Sequence, residues 1–301
     1  MNITIESNQL KAELSTLGAE IQHLVKKNDG TELIWNGDAS VWKNHAPILF
    51  PYVGRCINGF YTMDGKKCEN TRNHGFVRDS ETKIISQEKD KVTFELTDNE
   101  ALMARYPYKF ALQITYEITD VSLNWKMTVI NKDTKPIKFA IGTHTAFACP
   151  RNTDPKGTEI SDYVIEFEKK EDLKKVVMND KGFVITKDGN YQSESYNGKD
   201  KGIVPVTKEG FGVGICMTGF ESNWIGLRNT KTNSLIKIST EGFPHCMLWQ
   251  NDKGDPQFVC IEPWYGLPDT SDNDGNWETK LALNTIKPGE SFVSVQNISI
   301  E

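Results

Sequence analysis

The segment spanning residues 258–266 places a carboxylate directly after an apolar strand. Glu262 follows a four-residue apolar run at 258–261 and precedes a proline and two aromatic residues. Burial of a charged group is costly unless the group is paired or takes part in chemistry. Glu262 is therefore the strongest single candidate for a functional residue, although pairing with a structural arginine would also account for it.

Two histidines occupy positions at which a sheet gives way to loops. His74 lies beside Gly75, and a glycine lets the backbone turn sharply or approach another group closely. His144 directly follows an apolar strand, and loops held by a rigid scaffold often carry binding residues. Each histidine taken singly is also explained as an ordinary loop or core side chain.

Arg55 ends the segment Val53-Gly54-Arg55, and its guanidinium carries several hydrogen-bond donors that suit vicinal hydroxyls or a phosphate. A structural role would also account for this arginine. Two histidines, a glutamate and an arginine without a metal motif predict proton transfer between heteroatoms, which needs a general acid and a general base. Nucleophilic hydrolysis is disfavoured because a G-x-S-x-G elbow is missing. A cysteine nucleophile beside a histidine base is disfavoured as well. Cys246 does follow His245, but neighbouring residues on a strand point to opposite faces of the sheet.

The cysteines argue against a zinc site. None belongs to a C-x-x-C pair, and their spacings match no zinc motif. We therefore predict free thiols, several of them in the core, and neither a metal nor a cofactor. The six are Cys56, Cys68, Cys149, Cys216, Cys246 and Cys260.

Charge and hydropathy narrow the classes of partner. The net charge is −6 and no basic run stands out, which disfavours a nucleic-acid partner. No stretch approaches the roughly 18 apolar residues that span a bilayer. The first residues lack a basic segment followed by an apolar one, so we predict a cytoplasmic protein with no membrane association.

Alternating apolar and polar residues predict many short strands. The alternation is clear at 92–96, 112–118 and 123–129, and the last two runs form a predicted hairpin around Thr119–Ser122. One helix is predicted, capped by Asp98, running to about Tyr106 and ended by Pro107. Without a linker or a fixed repeat, residues 1–301 are predicted to form one all-β antiparallel domain, a sandwich or a barrel.

Several short motifs, read in order, resemble the aldose 1-epimerase (galactose mutarotase-like) superfamily, and in particular its bacterial LacX-like branch. A single motif is weakly specific, but the ordered set covers nearly the whole chain. The motifs lie at Leu17–Ile21, Pro47–Pro51, Val53–Arg55, His74–Phe76, Tyr106–Phe110, Gly142–His144 and Cys260–Gly266.

This resemblance implies a large antiparallel β-sandwich (a galactose mutarotase-like supersandwich) with few short helices, whose concave face holds a sugar. It implies that Glu262 is the general base at the anomeric hydroxyl and that His144 is the acid that protonates the ring oxygen. His74 would hydrogen-bond near that oxygen, and Arg55 would hold hydroxyls. The implied partner is a small-molecule sugar, with no cofactor, and the chain would be a monomer or a homodimer.

The aromatic residues Trp264 and Trp249 could stack on a pyranose, and His245 is a further candidate for sugar contact. The chain departs from the family pattern in two places. Thr145 replaces the usual proline after His144, and no aspartate occurs at 211–214. Arg78 and Arg72 lie near His74 and could bind a phosphate. A hexose-6-phosphate 1-epimerase and a non-catalytic carbohydrate-binding protein therefore stay open as alternatives.

Overall fold

The computed structural model describes residues 1–251 and 256–301, and antiparallel sheets dominate them. In chain order the strands are β1 (Asn2–Glu6), β2 (Leu10–Ser15), β3 (Ile21–Lys26), β4 (Ile48–Leu49), β5 (Phe60–Met63), β6 (Lys66–Glu69), β7 (Lys83–Gln87), β8 (Lys91–Thr97), β9 (Phe110–Ile118), β10 (Ser122–Asn131), β11 (Ile137–Phe139), β12 (Ile141–Thr143), β13 (Thr145–Ala148), β14 (Tyr163–Phe167), β15 (Lys174–Val176), β16 (Thr186–Lys187), β17 (Asn190–Tyr191), β18 (Ser193–Ser195), β19 (Ile203–Pro205), β20 (Ile215–Thr218), β21 (Trp224–Asn229), β22 (Leu235–Ser239), β23 (His245–Trp249), β24 (Phe258–Tyr265), β25 (Asn284–Ile286) and β26 (Ser291–Ile300).

Within the part of the chain that the structure describes, nine strands form the first large sheet, in the spatial order β19-β14-β21-β22-β26-β10-β9-β8-β7. Its centre follows the predicted alternation, since β10 buries every second side chain and pairs with β9 as an antiparallel hairpin. Trp125 lies opposite Tyr116 in that hairpin, and both side chains are buried. Period-two patterning therefore places one face of this sheet on the core.

The second large sheet has the order β18-β15-β20-β23-β24-β12-β4, and β13 also pairs with β24. Along β24 the side chains alternate: Val259 and Ile261 belong to the main core, whereas Trp264 belongs to a separate apolar cluster. The main core also takes side chains from β9 and β10, so it lies between the two sheets. The result is the predicted all-β sandwich.

The helical content of the described residues is small, as predicted, but their one α-helix differs from the expectation. Helix α1 spans only Glu100–Met103, and its N-cap is Asn99, whose side chain accepts a hydrogen bond from the Leu102 amide. Asp98 instead accepts from the Phe110 amide at 3.1 Å, which ties it to the start of β9. The prediction of an Asp98-capped helix reaching Tyr106 was therefore wrong, because the backbone of β9 uses that carboxylate. Three short 3-10 turns complete the helices of the described residues, at Val77–Asp79, Ile160–Asp162 and Trp277–Thr279.

All six cysteines are free thiols, and five of them are buried, as their spacing predicted. In the described part of the chain, no helix combines the length and the apolar character needed to cross a membrane.

Candidate active site

The candidate site lies on the face of the second sheet that points away from the core. Glu262 alternates with the core residue Ile261 on β24, and Met247 lies opposite Glu262 on β23. A cavity of about 170 Å³ opens over this face. Seven of the eight residues that the sequence predicts for the site line it: Arg55, His74, Arg78, His144, Trp249, Glu262 and Trp264.

Glu262 and His144 meet because two neighbouring strands present them side by side. His144 stands between β12 and β13, both of which pair with β24, the strand that carries Glu262. The His144 Nε2 lies 3.4 Å from the Glu262 Oε1. Only 6% of His144 and 1% of Glu262 are exposed, so the pair is almost fully removed from water.

Burial shifts the protonation of both groups in the direction of neutrality. It raises the pKa of Glu262 well above its usual value, with the charge of Arg78 opposing the shift. It lowers the pKa of His144 to about 3, and Arg78 acts in the same direction. Neither carboxylate oxygen of Glu262 has a hydrogen-bond partner among the described residues. A buried carboxyl group and imidazole in contact can thus hold one proton between them, with lone pairs left for a ligand.

His74 is oriented by the backbone of the loop that also bears Arg55. The Gly54 amide lies 3.0 Å from the His74 Nδ1, and the His74 amide donates to the Gly54 carbonyl at 2.9 Å. An amide can only donate, so Nδ1 accepts and the proton of the neutral ring resides on Nε2. Burial lowers the pKa of His74 well below its usual range, helped by the neighbouring His144. His74 is therefore a neutral donor.

The glycine that follows His74 is required by a close backbone approach. His74 and Gly75 both have positive φ, 68° and 75°. A Cβ on Gly75 would lie 2.0 Å from the Phe50 carbonyl oxygen, which also accepts from the Phe76 amide at 3.0 Å. Only glycine fits against the Phe50 carbonyl, which directly follows β4, and this close packing fixes the position of His74.

The two arginines of the cavity differ in how they are held. Arg55 is exposed, whereas Arg78 is partly buried and donates from Nη2 to the Asn73 carbonyl at 2.8 Å. The Nε of Arg78 is buried without a partner among the described residues. Arg72, the other arginine considered for phosphate, is paired with Asp79 and does not line the cavity.

Aromatic rings enclose the histidine. Trp42 stacks on His144 with ring centroids 4.9 Å apart, and Trp249 meets the same ring edge-on at 5.6 Å. Trp264 lies 5.8 Å from His74. These rings supply apolar surface beside the acid–base pair and restrict the access of water.

Several lining residues were missed by the sequence reasoning. Trp42 lies in a polar loop outside any alternating pattern. A tryptophan in such a loop is the signal that could have marked it as a binding residue. Gly182, Val213 and Met247 form an apolar part of the wall near the segment that lacks an aspartate. They come from loops and a neighbouring strand, and nothing in their own types points to binding.

His245 is the predicted site residue that the structure does not bring to the cavity. It lies on the same strand as Met247, but it is buried against Tyr191, with ring centroids 5.6 Å apart. Burial lowers its pKa to about 4. It is thus a buried histidine outside the cavity, packed under Tyr191 rather than open to a ligand.

Two other features of the structure bear on ligand binding. His144, Cys260 and Glu262 each offer one donor atom, and these atoms lie within 4.8 Å of one another, so they are the candidate set for a cation among the described residues. A larger cavity of about 550 Å³ lies around Trp35 and Arg151 and contains none of the predicted site residues.

Comparison with known proteins shows similarity to one protein family and to several of its relatives. The family model described as aldose 1-epimerase matches residues 1–284. The chain is 28% identical to the chromosomal protein LacX of Lactococcus lactis, with 100% of this chain and 99% of that protein covered.

Two solved structures are also similar. One is a galactose mutarotase related enzyme from Lactobacillus acidophilus, with a TM-score of 0.89, 28% identity, and 100% and 97% coverage. The other is a galactose mutarotase-like protein from Lactobacillus casei, with a TM-score of 0.90, 28% identity and full coverage of both chains.

Proposed function

Because the chain belongs to the aldose 1-epimerase family, we propose that it interconverts the α and β anomers of a free hexose by acid–base opening and closing of the pyranose ring. The observation that carries the proposal is the contact of 3.4 Å between the His144 Nε2 and the Glu262 Oε1 inside one cavity. Pure sugar binding requires no buried, unsatisfied carboxyl group beside an imidazole, whereas proton transfer requires both.

The reaction balances with the protons that these two groups hold. The Glu262 carboxylate takes the proton of the hydroxyl on C1, the C1–O5 bond breaks as C1=O forms, and protonated His144 gives its proton to O5. Rotation about C1–C2 presents the other face of the aldehyde, and the same transfers run backwards on closure.

Burial favours neutral His144 and protonated Glu262 in the free site. The same protonation state is reached when the ring has opened and the open-chain sugar is bound. The ion pair that opens the ring holds the same number of protons and differs only in which of the two groups, 3.4 Å apart, carries the proton.

The remaining lining residues position the sugar in this scheme. The Nε2 proton of His74 is available to the ring oxygen region because Nδ1 is occupied by the Gly54 amide. Arg55 and Arg78 present donors to sugar hydroxyls. Trp249, Trp264 and Trp42 provide apolar surface for the carbon face of the ring.

Among the described residues, the charges that line the cavity suit an unphosphorylated sugar better than a phosphorylated one. Arg72 is engaged by Asp79, which leaves Arg55 and Arg78 as the lining arginines. A phosphate is recognised best by a cluster of cations, and one of these two already donates to the Asn73 carbonyl. We therefore place the hexose-6-phosphate second.

The test dissolves crystalline α-glucose, α-galactose and α-glucose-6-phosphate separately and follows anomerisation by polarimetry or NMR, with and without protein. We expect faster approach to equilibrium for at least one free hexose. Acceleration of the phosphosugar alone would reverse our choice of substrate. Saturable sugar binding without any acceleration would instead identify a non-catalytic carbohydrate-binding protein.

A further inference from the structure

A fully buried ion pair lies behind the wall of the cavity. The Lys280 Nζ is 2.7 Å from the Asp269 Oδ1, and both side chains have 0% exposure. Lys280 also donates to the Leu267 carbonyl at 3.0 Å, and the Tyr61 hydroxyl donates to the Asp269 Oδ1 at 2.8 Å. An ion pair in such a place is expensive to desolvate and is seldom explained by stability alone.

The carboxylate of this pair reaches the loop that bears Arg55. The Ile57 amide donates to the Asp269 Oδ2 at 2.9 Å, and the Asp269 amide donates to the Arg55 carbonyl at 3.3 Å. Pro268, the residue before Asp269, packs so closely on Gly54 that a Cβ there would lie 2.7 Å from the proline ring. Asp269 and its neighbour thus hold the loop on both sides of Arg55.

The same loop also sets the orientation of His74. The Gly54 amide, one residue before Arg55, is the donor to the His74 Nδ1. The hydrogen bonds therefore run from Lys280 through Asp269 to the 54–57 loop, and from the loop to His74. Neither Asp269 nor Lys280 lines the cavity.

From this arrangement we infer that Asp269 and Lys280 are positioning residues: their buried ion pair fixes the loop that places Arg55 on the sugar and orients His74. The inference rests on the proposed function. A loop left free to shift by about 1 Å can cost on the order of 10²-fold in rate even when the chemistry is remote. Asp269→Asn is the sharpest change, because an amide cannot accept from Lys280, Tyr61 and the Ile57 amide together.

The experiment measures kcat and KM for the free hexose that the wild-type protein epimerises best. We expect Asp269→Asn and Lys280→Met each to raise KM and to lower kcat/KM by about 10–10²-fold in the folded protein. A purely structural role would lower the folded fraction, and hence the apparent kcat, with KM unchanged. Glu166→Gln, which breaks the pair with Arg228 on the other large sheet, is the matched control and should leave KM unchanged.

A double-mutant cycle identifies the route of the effect. In an Arg55→Met background the penalty of Asp269→Asn on KM should shrink, because the loop no longer carries the guanidinium. Should Asp269→Asn not fold, Tyr61→Phe removes a single donor to the same carboxylate and should raise KM by a smaller factor. Unchanged KM in the folded variants, or fully additive penalties with Arg55→Met, would overturn the inference. Wild-type protein without epimerase activity would instead remove the proposed function.

Discussion

At the scale of single residues, the decisive feature is the exclusion of water from two titratable side chains in contact. Glu262 and His144 lie 3.4 Å apart with nearly no exposure. Neither residue type is unusual by itself. Their joint burial lets two weak groups exchange one proton with a ligand without competition from solvent.

Replacement of the proposed base tests this pair directly. We expect Glu262→Gln to keep the fold and to lower kcat by about 10²–10⁴-fold, because the amide cannot take the proton from the C1 hydroxyl. His144→Asn should have a loss of similar size. Polarimetry on α-galactose or α-glucose measures both, with Glu166→Gln as the control for a carboxylate-to-amide change far from the cavity. Near-normal turnover in both variants would refute the assigned roles.

The pH dependence of kcat/KM follows from the directions of the two shifts. The competent site holds one proton between the pair. Protonation of neutral His144 adds a second proton, and burial has lowered that pKa to about 3. The shared proton is lost only at a higher pH, because burial raises the pKa of Glu262. We expect no acid limb near pH 6.5, the usual histidine value, and a decline only on the alkaline side.

A pH–rate profile from pH 4.5 to 9, corrected for the uncatalysed reaction, measures this dependence. An acid limb centred near pH 6.5 would mean that His144 titrates as a solvated histidine.

At the scale of elements, the site depends on one loop packed against a strand backbone. Gly75 lies against the Phe50 carbonyl, and this approach fixes His74. The glycine adjacent to the histidine was a signal in the sequence, but the partner it approaches is 25 positions away. Loop and strand therefore determine the geometry together.

Two glycine variants separate backbone strain from steric conflict. Gly65 and Gly75 have nearly equal φ, 72° and 75°, but a Cβ on Gly65 meets nothing within 4 Å. We expect Gly65→Ala to cost about 1–2 kcal/mol of stability, from φ alone, with kcat/KM retained. Gly75→Ala should cost more and should lower kcat/KM, because the Phe50 carbonyl must move and His74 with it. Urea unfolding and polarimetry measure the two effects, and equal outcomes for the two variants would contradict the argument.

At the scale of the whole molecule, one core unites distant parts of the chain. It includes side chains from Ile3 to Ile298, with contributions from both large sheets. The buried Thr143 hydroxyl donates to the Gln296 Oε1 at 3.0 Å, which links β12 to β26 across the sandwich. We propose on this basis that residues 1–301 constitute a single domain.

Buried histidines make the stability of this molecule depend on acidity. Burial lowers the pKa of His245 to about 4, below the value of about 6.5 in the unfolded chain. The unfolded chain therefore binds more protons between these values, and the contribution of His245 is present above pH 6.5 and lost as the pH falls toward 4. The free energy of unfolding should fall on acidification, by up to about 3 kcal/mol from this residue.

Urea titrations at pH 7 and pH 5 test this dependence. His245→Gln should reduce the loss of stability on acidification. His23→Gln is the control of opposite sign, because the hydrogen bond to Glu32 raises the pKa of His23, and that contribution is lost as the pH rises. An unchanged pH slope in His245→Gln would show that this histidine protonates as readily in the folded protein as in the unfolded one.

The sequence alone determined the fold class and most candidate residues. Period-two alternation is a local property that each strand shows on its own, so β8, β9 and β10 could be located from their residues. Glu262 could be found because a charge after an apolar run is costly wherever that strand lies. The helix at Asp98 was placed wrongly, since its cap competes with a backbone amide of a later strand.

The tertiary structure decided which candidates share a cavity. The register of β24 with β12 and β13 brings His144 beside Glu262, although 118 positions separate them. The same sheet leaves His245 packed on Tyr191, outside the cavity, and brings in Trp42 from a loop that showed no binding motif. Which strands pair, and in which register, depends on packing on both faces of a sheet between segments that are distant in sequence. The residues of one strand alone therefore do not predict it.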